Sequence, residues 1–274
     1  MMTDFKNRII AKIKSISFWR WVLLSLALGL TIVWLFLTPE GLLGKADAVG
    51  YAVCHRIDAR SFHIGDRPIP LCARCSGMFL GALLGLVFQL VQGKKGSMPA
   101  IPVMILFGFF ALAWVLDGTN SFLMLVPGAP NVYQTQNWTR LVTGTGMGLA
   151  VSIVLVPSFI QTMFSDWEEV SYLANWRQLT GLLMGAALLI FLVLLEIPWI
   201  LYPLALLSAA GVLGLLIMVY SMVFVMVFKK ENAYKRFSQL VDPLAAGYFV
   251  ALLQIAVIDL LRYLWSGTWG GFNL

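Results

Sequence analysis

Charge is scarce in this 274-residue chain. Asp, Glu, Lys and Arg together make up 12% of it, while hydrophobic residues reach 60%. A soluble domain is about a quarter charged, so the composition excludes both a cytosolic globular enzyme and a disordered chain. Cysteine is scarcer still, at three residues, which excludes a disulfide-dense secreted module. Histidine occurs twice. The chain also lacks a phosphate-cradling glycine loop, a metalloprotease helix motif and a nucleophile-elbow serine. Ser61 and Ser76 lie near histidines in sequence, but nearness in sequence gives no catalytic triad. Nucleic-acid binding has no support, because the net charge of +6 resides in short basic groups beside apolar runs.

Long apolar runs are what the chain does have, with a mean hydropathy of +0.85. Crossing a bilayer core takes about 20 mostly apolar residues of helix. Seven stretches qualify: 18–37, 75–91, 98–116, 141–160, 179–197, 204–228 and 244–265. They are continuously apolar rather than alternating, which favours helices over a barrel. The expected fold is an all-α polytopic transmembrane bundle of about seven helices. It forms a single membrane domain over 1–274, with 38–74 as a Cys/His loop. Pro198 and Pro203 predict a turn between the fifth and sixth spans. Glycines at 77, 81 and 85, at 144 and 148, and at 181 and 185 recur every four residues, a spacing that lets helix backbones approach closely.

Basic residues set the expected orientation. Lys6, Arg8, Lys12, Lys14, Arg20, Lys94, Lys95, Arg177, Lys229, Lys230, Lys235 and Arg236 fall on one side, against seven on the other. The positive-inside rule makes the richer side cytoplasmic. The N-terminus is then cytoplasmic, the C-terminus and the 38–74 loop are extracytoplasmic, and the first span reads as an uncleaved signal anchor.

All three cysteines and both histidines fall between Cys54 and Cys75. Three readings of this cluster stand open. Three thiolates and one imidazole satisfy a closed tetrahedral metal site, zinc above all, and Cys72-Ala73-Arg74-Cys75 supplies two ligands from one turn. Cys54 and either His55 or His63 would complete it, with His63 the easier partner on spacing alone. Alternatively, a C-x-x-C opening a helix gains thiolate stabilisation from the helix dipole and from Arg74. Cys72 and Cys75 would then exchange with Cys54 in thiol-disulfide chemistry, with a quinone as acceptor. The third reading is a structural disulfide with one spare thiol.

Ionisable residues at the same membrane edge form a further set: Asp117, Arg140, Asp259 and Arg262, with Glu196 nearby. Charge at membrane depth is costly unless it is paired or faces water. Asp117 and Arg140 are expected to pair or to hold a polar headgroup, and Asp259 and Arg262 to pair along one helix face. Arg56, Arg60, Arg67 and Arg74 either bind an anionic headgroup or phosphate, or pair with Asp58 and Asp66.

The segment Cys54-His55, Arg60-Ser61-Phe62 and Pro70-Leu71-Cys72-Ala73-Arg74-Cys75-Ser76-Gly77 resembles the prokaryotic membrane-protein family named domain of unknown function 2085. The likeness continues through Asp117-Gly118-Thr119 and Asn137-Trp138-Thr139-Arg140-Leu141-Val142-Thr143-Gly144, covering about 54–148. It favours His55 over His63 as the functional imidazole and implies no established activity. The resulting expectation is a lipid-embedded protein with a Cys/His metal site, and a membrane thiol-disulfide oxidoreductase as the alternative. No protein partner, substrate or catalytic assignment follows from the sequence.

Overall fold

The computed structural model describes residues 2–271, with side chains from residue 18 onward. Lys6, Arg8, Lys12 and Lys14, which weigh in the orientation argument, therefore lie outside the described side chains. The helices are α1 (Met2–Leu37), α2 (Gly41–Val53), α3 (Ala73–Leu90), α4 (Ile101–Leu123), α5 (Asn137–Met163), α6 (Trp176–Leu194), α7 (Pro198–Val227) and α8 (Val241–Ser266). Seven of them are long and apolar enough to cross a membrane, α1 through Phe18–Leu37; α2 is the exception. The polytopic all-α bundle read from the sequence is thus the fold. Strands are confined to two small pairs, β1 (His63–Ile64) with β2 (Arg67–Pro68), and β3 (Lys95–Ser97) with β4 (Glu168–Ser171).

At the centre, α3 and α5 run parallel in close backbone contact. Gly77 lies against the Leu141 carbonyl, Gly81 against that of Thr145, and Gly85 against the Ser152 side chain. In return, Gly144 meets the Arg74 carbonyl and Gly148 that of Met78. Lipid tails are as apolar as the helix surface, so association here depends on this van der Waals fit rather than on hydrophobic burial. The third glycine pair behaves differently. Gly181 and Gly185 have only side-chain neighbours, at 3.9 Å and 3.6 Å from a Cβ built there. Equal spacing in sequence does not make an equal seam.

Helix α1 lies parallel to α8, joined by Arg20–Asp242 (3.1 Å) at one end and by Trp34 Nε1 donating to Asp259 (3.2 Å) near the other. One end of the bundle carries β3, β4 and the Lys94–Asp166 pair (2.6 Å). The opposite end, called here the cysteine end, gathers the starts of α3 and α5 and the last turns of α4 and α8.

Three expectations need correction. Segment 38–74 is not wholly loop, because α2 occupies 13 of its residues. It is too short to span, and its buried small residues are covered by α7 and α8 rather than by lipid. The spans also extend past their apolar runs. Helix α4 continues to Leu123, so Asp117 lies inside it beside Asn120 and Ser121, all three buried. Finally, the turn between α6 and α7 is only a few residues long, with Glu196 at φ +51°, and Pro203 lies within α7. Pro198 takes the first helical position, where its missing N–H costs nothing. Pro203 falls in the second turn, so only one hydrogen bond is lost.

Candidate functional site

Cys54 ends α2, its N–H donating to the Gly50 carbonyl at 2.8 Å. Gly50 decides what arrives beside it. A Cβ at that position would stand 2.0 Å from the Pro70 carbonyl oxygen. The chain leaving β2 therefore crosses α2 one turn before Cys54 and brings Cys72 up to it. Cys72 is the N-cap of α3, with no side-chain cap bond of its own, and Cys75 follows one turn along. The Cys72 N–H donates to Cys54 Sγ at 3.4 Å and the Arg56 N–H at 3.5 Å. The Cys75 thiol is close enough to act on both other sulfurs, but it is not among the donor atoms that converge within 4.8 Å. All three are free thiols, and Cys54 and Cys72 are buried.

His55 completes the cluster. The donor atoms of Cys54, His55 and Cys72 all lie within 4.8 Å of one another. His55 Nδ1 accepts the Ile57 N–H at 3.2 Å, so in the neutral ring the proton resides on Nε2. Burial lowers the His55 pKa and keeps the ring neutral. Hydrogen bonds from the Cys72 and Cys75 thiols hold Cys54 well below the usual thiol range, overcoming its burial. The same bond to Cys54 pushes Cys72 up to about 12. Cys54 is the sulfur that gives up its proton first.

His63 is elsewhere. Its Nε2 lies 3.1 Å from Asp58 Oδ1 on the β1–β2 hairpin side, and it is not among the converging donor atoms. The arginines also find partners other than those expected. Arg56 and Arg67 both pair with buried Asp47, at 2.8 Å and 2.5 Å, rather than with Asp58 or Asp66. Arg74 pairs with Asp117, so the Asp117–Arg140 pair is not formed. Tyr133 donates to the same carboxylate at 2.6 Å, and Thr143 at 3.3 Å. Arg140 instead donates to Asn137 Oδ1 (2.8 Å) and Thr135 Oγ1 (2.7 Å). Asp259 is buried and accepts from Trp34.

Arg262 links α8 to the cluster. Its guanidinium donates to the carbonyls of Tyr51 and Cys54, the latter at 2.7 Å, and lies 4.0 Å over the Tyr51 ring. A cation on the last carbonyls of a helix satisfies groups that have no partner within it and complements the dipole. The last turn of α8 thereby positions the last turn of α2. Sequence reasoning missed Asp47 and Gly50. Their one signal was spacing, since 47, 50 and 54 fall on one helical face in a stretch too short and too small-residued to read as a span.

Fold and site together define a polytopic membrane protein with a thiol–imidazole cluster at one end of the bundle. Residues 54–154 match the model of a family described as a predicted membrane protein (DUF2085). The chain is also similar to an uncharacterized protein of Methanocaldococcus jannaschii, 26% identical over 121 residues, covering 44% of this chain and 72% of the other. No solved structure matches. The family match starts at Cys54 and ends within α5. It includes all three thiols, both imidazoles and the α3–α5 seam, whereas Asp47, Gly50 and Arg262 lie outside it.

Proposed function

We propose that this membrane protein holds a metal ion, zinc by its chemistry, in a site made by Cys54, His55, Cys72 and Cys75. The observation that carries this reading is the convergence of the Cys54, His55 and Cys72 donor atoms within 4.8 Å. Around tetrahedral zinc, sulfur and nitrogen ligands stand about 3.5–3.8 Å apart, from bond lengths of about 2.3 Å and 2.0–2.1 Å. A contraction of about 1 Å closes the shell. The imidazole nitrogen free of a proton is Nδ1, so binding through it replaces the Ile57 contact. Cys75, one turn further along α3, lies outside the three converging donor atoms and would supply the remaining ligand by turning its side chain inward. Four protein ligands leave no open position for water, which makes the role structural. The ion ties the end of α2 to the start of α3. By the positive-inside rule this end of the bundle faces away from the cytoplasm.

Stoichiometric metal in purified protein is the expected result, with loss of most of it in Cys72→Ser. A metal-free wild-type protein would overturn the proposal. Orientation is tested separately at Val132, which is 91% exposed at the cysteine end. Val132→Cys is expected to react with a membrane-impermeant thiol reagent in intact cells, above the wild-type background. Lys230→Cys is expected to react only after permeabilisation, and the reverse pattern would invert the topology.

A second reading rests on three free thiols, of which Cys54 and Cys72 lie within 4.8 Å of each other. Oxidation of Cys54 with Cys72 or Cys75 would form one S–S bond and release two protons and two electrons, which a quinone could accept to become a quinol. Reversible thiol–disulfide cycling in metal-free protein would favour it.

A further inference from the structure

Beside the thiols, the cysteine end carries more buried positive charge than the metal reading uses. Arg60, at the end of the short 3₁₀ turn Asp58–Arg60, is 8% exposed, and Arg140, in the first turn of α5, is 6% exposed. Among the described residues neither has a carboxylate within ion-pair distance. Arg60 donates to the Ser121 carbonyl at 3.0 Å, and Arg140 reaches only the neutral oxygens of Asn137 and Thr135. Arg74 lies close enough to both for their charges to repel, and Asp117, already bound to Arg74, is the one carboxylate acting on the group. Three guanidiniums against one carboxylate leave two positive charges. A zinc site with three thiolates would carry one negative charge, and one positive charge would still be left over.

Burying an uncompensated charge costs several kcal/mol, and a buried polar atom without a partner calls for an explanation such as an absent ion. Two such atoms are here. Arg140 Nε and Ser121 Oγ are both inaccessible to solvent and have no hydrogen-bond partner. Ser121 is the residue whose carbonyl Arg60 grips. The backbone adds to the field. Parallel α3 and α5 present their positive N-terminal ends side by side, and α3 has no side-chain cap. His55, half-buried, feels the charge of all three arginines, of which Arg74 is the one not fully buried.

We propose that Arg60, Arg74 and Arg140, at the paired N-termini of α3 and α5, form a seat for a phosphate group. Planar guanidiniums match the tetrahedral oxyanion with forked hydrogen bonds, which a single ammonium cannot do. The seat lies at the membrane edge, where the phosphate belongs either to a lipid headgroup or to a free phosphate ion. This inference does not rest on the metal site.

The test uses full-length protein as purified, in detergent micelles. Inorganic phosphate is titrated by calorimetry, and retained phosphatidylglycerol is counted by native mass spectrometry. Binding of inorganic phosphate identifies the free ion, and retention of phosphatidylglycerol alone identifies the headgroup; either supports the seat. Arg140→Gln is expected to weaken the bound form about tenfold, the loss of one charged hydrogen-bonding partner. Arg140→Lys, which keeps the charge but loses the fork, is expected to weaken it comparably and covers the case in which the glutamine variant does not fold. Arg67→Gln, at the exposed guanidinium paired with Asp47, is expected to change nothing. No binding of either probe, or equal losses in the Arg67 and Arg140 variants, would overturn the proposal.

Discussion

Alanine at His55 is expected to empty the proposed metal site, while alanine at His63 leaves it loaded. The two imidazoles are eight positions apart and both lie within loop reach of Cys72. Their environments differ. The His55 ring is partly buried and neutral, within 4.8 Å of two sulfurs, so it offers a lone pair without paying to shed a proton. The His63 ring is tied to Asp58 on a two-residue strand, away from the thiols. Loss of a residue that merely supports a ligand costs roughly 10–100-fold in metal affinity. Loss of the ligand itself should exceed that, so His55→Ala is expected to bind at least about 100-fold more weakly. Competition against a chromophoric chelator measures it. Equal affinities for the two variants would remove His55 from the site, and a larger loss at His63 would transfer the role to it.

The second large effect is expected at the helix seam. Gly148→Ala places a methyl 2.0 Å from the Met78 carbonyl oxygen and 2.6 Å from the Ala82 nitrogen. Both are backbone atoms of a regular helix and cannot swing aside as a side chain would. Helices α3 and α5 must separate, at a cost near the upper end of overpacking penalties, about 3 kcal/mol. Gly181→Ala meets only one Phe88 ring atom at 3.9 Å and improves helix propensity by up to about 1 kcal/mol. Denaturation in micelles should therefore show a marked loss for the first variant and none for the second. The Gly148 variant should also lose metal, because α3 carries Cys72 and Cys75 while its partner α5 holds it in place. Similar midpoints for both variants would mean that the seam does not hold the bundle together.

These two cases show where reading the sequence stops. Hydropathy located all seven spans, because a transmembrane helix must cover the bilayer with apolar residues whatever its neighbours are. Boundaries drifted where a helix runs on into buried polar groups. Asp117 and Asn120 are polar, yet α4 continues through them because Arg74, Tyr133 and the 131–136 loop satisfy them. The glycine stripes of α3 and α6 look alike in sequence, and only the packing separates a backbone seam from an ordinary side-chain face. Asp47 passed as part of a small-residue stretch, although it anchors two arginines across the site.

The chain's own order of residues determined that it is a bundle of apolar helices and that its thiols and imidazoles are concentrated in one short segment, since both are matters of local composition. Tertiary structure alone decided which imidazole stands with the sulfurs, which carboxylate each arginine finds, and which arginines find none. Those outcomes depend on the crossing of the 62–72 segment over Gly50, the parallel seating of α3 on α5, and the reach of Arg262 from α8 to the end of α2. Contacts between residues some 20 to 200 positions apart leave no periodicity to read, and their geometry exists only once the backbones have packed.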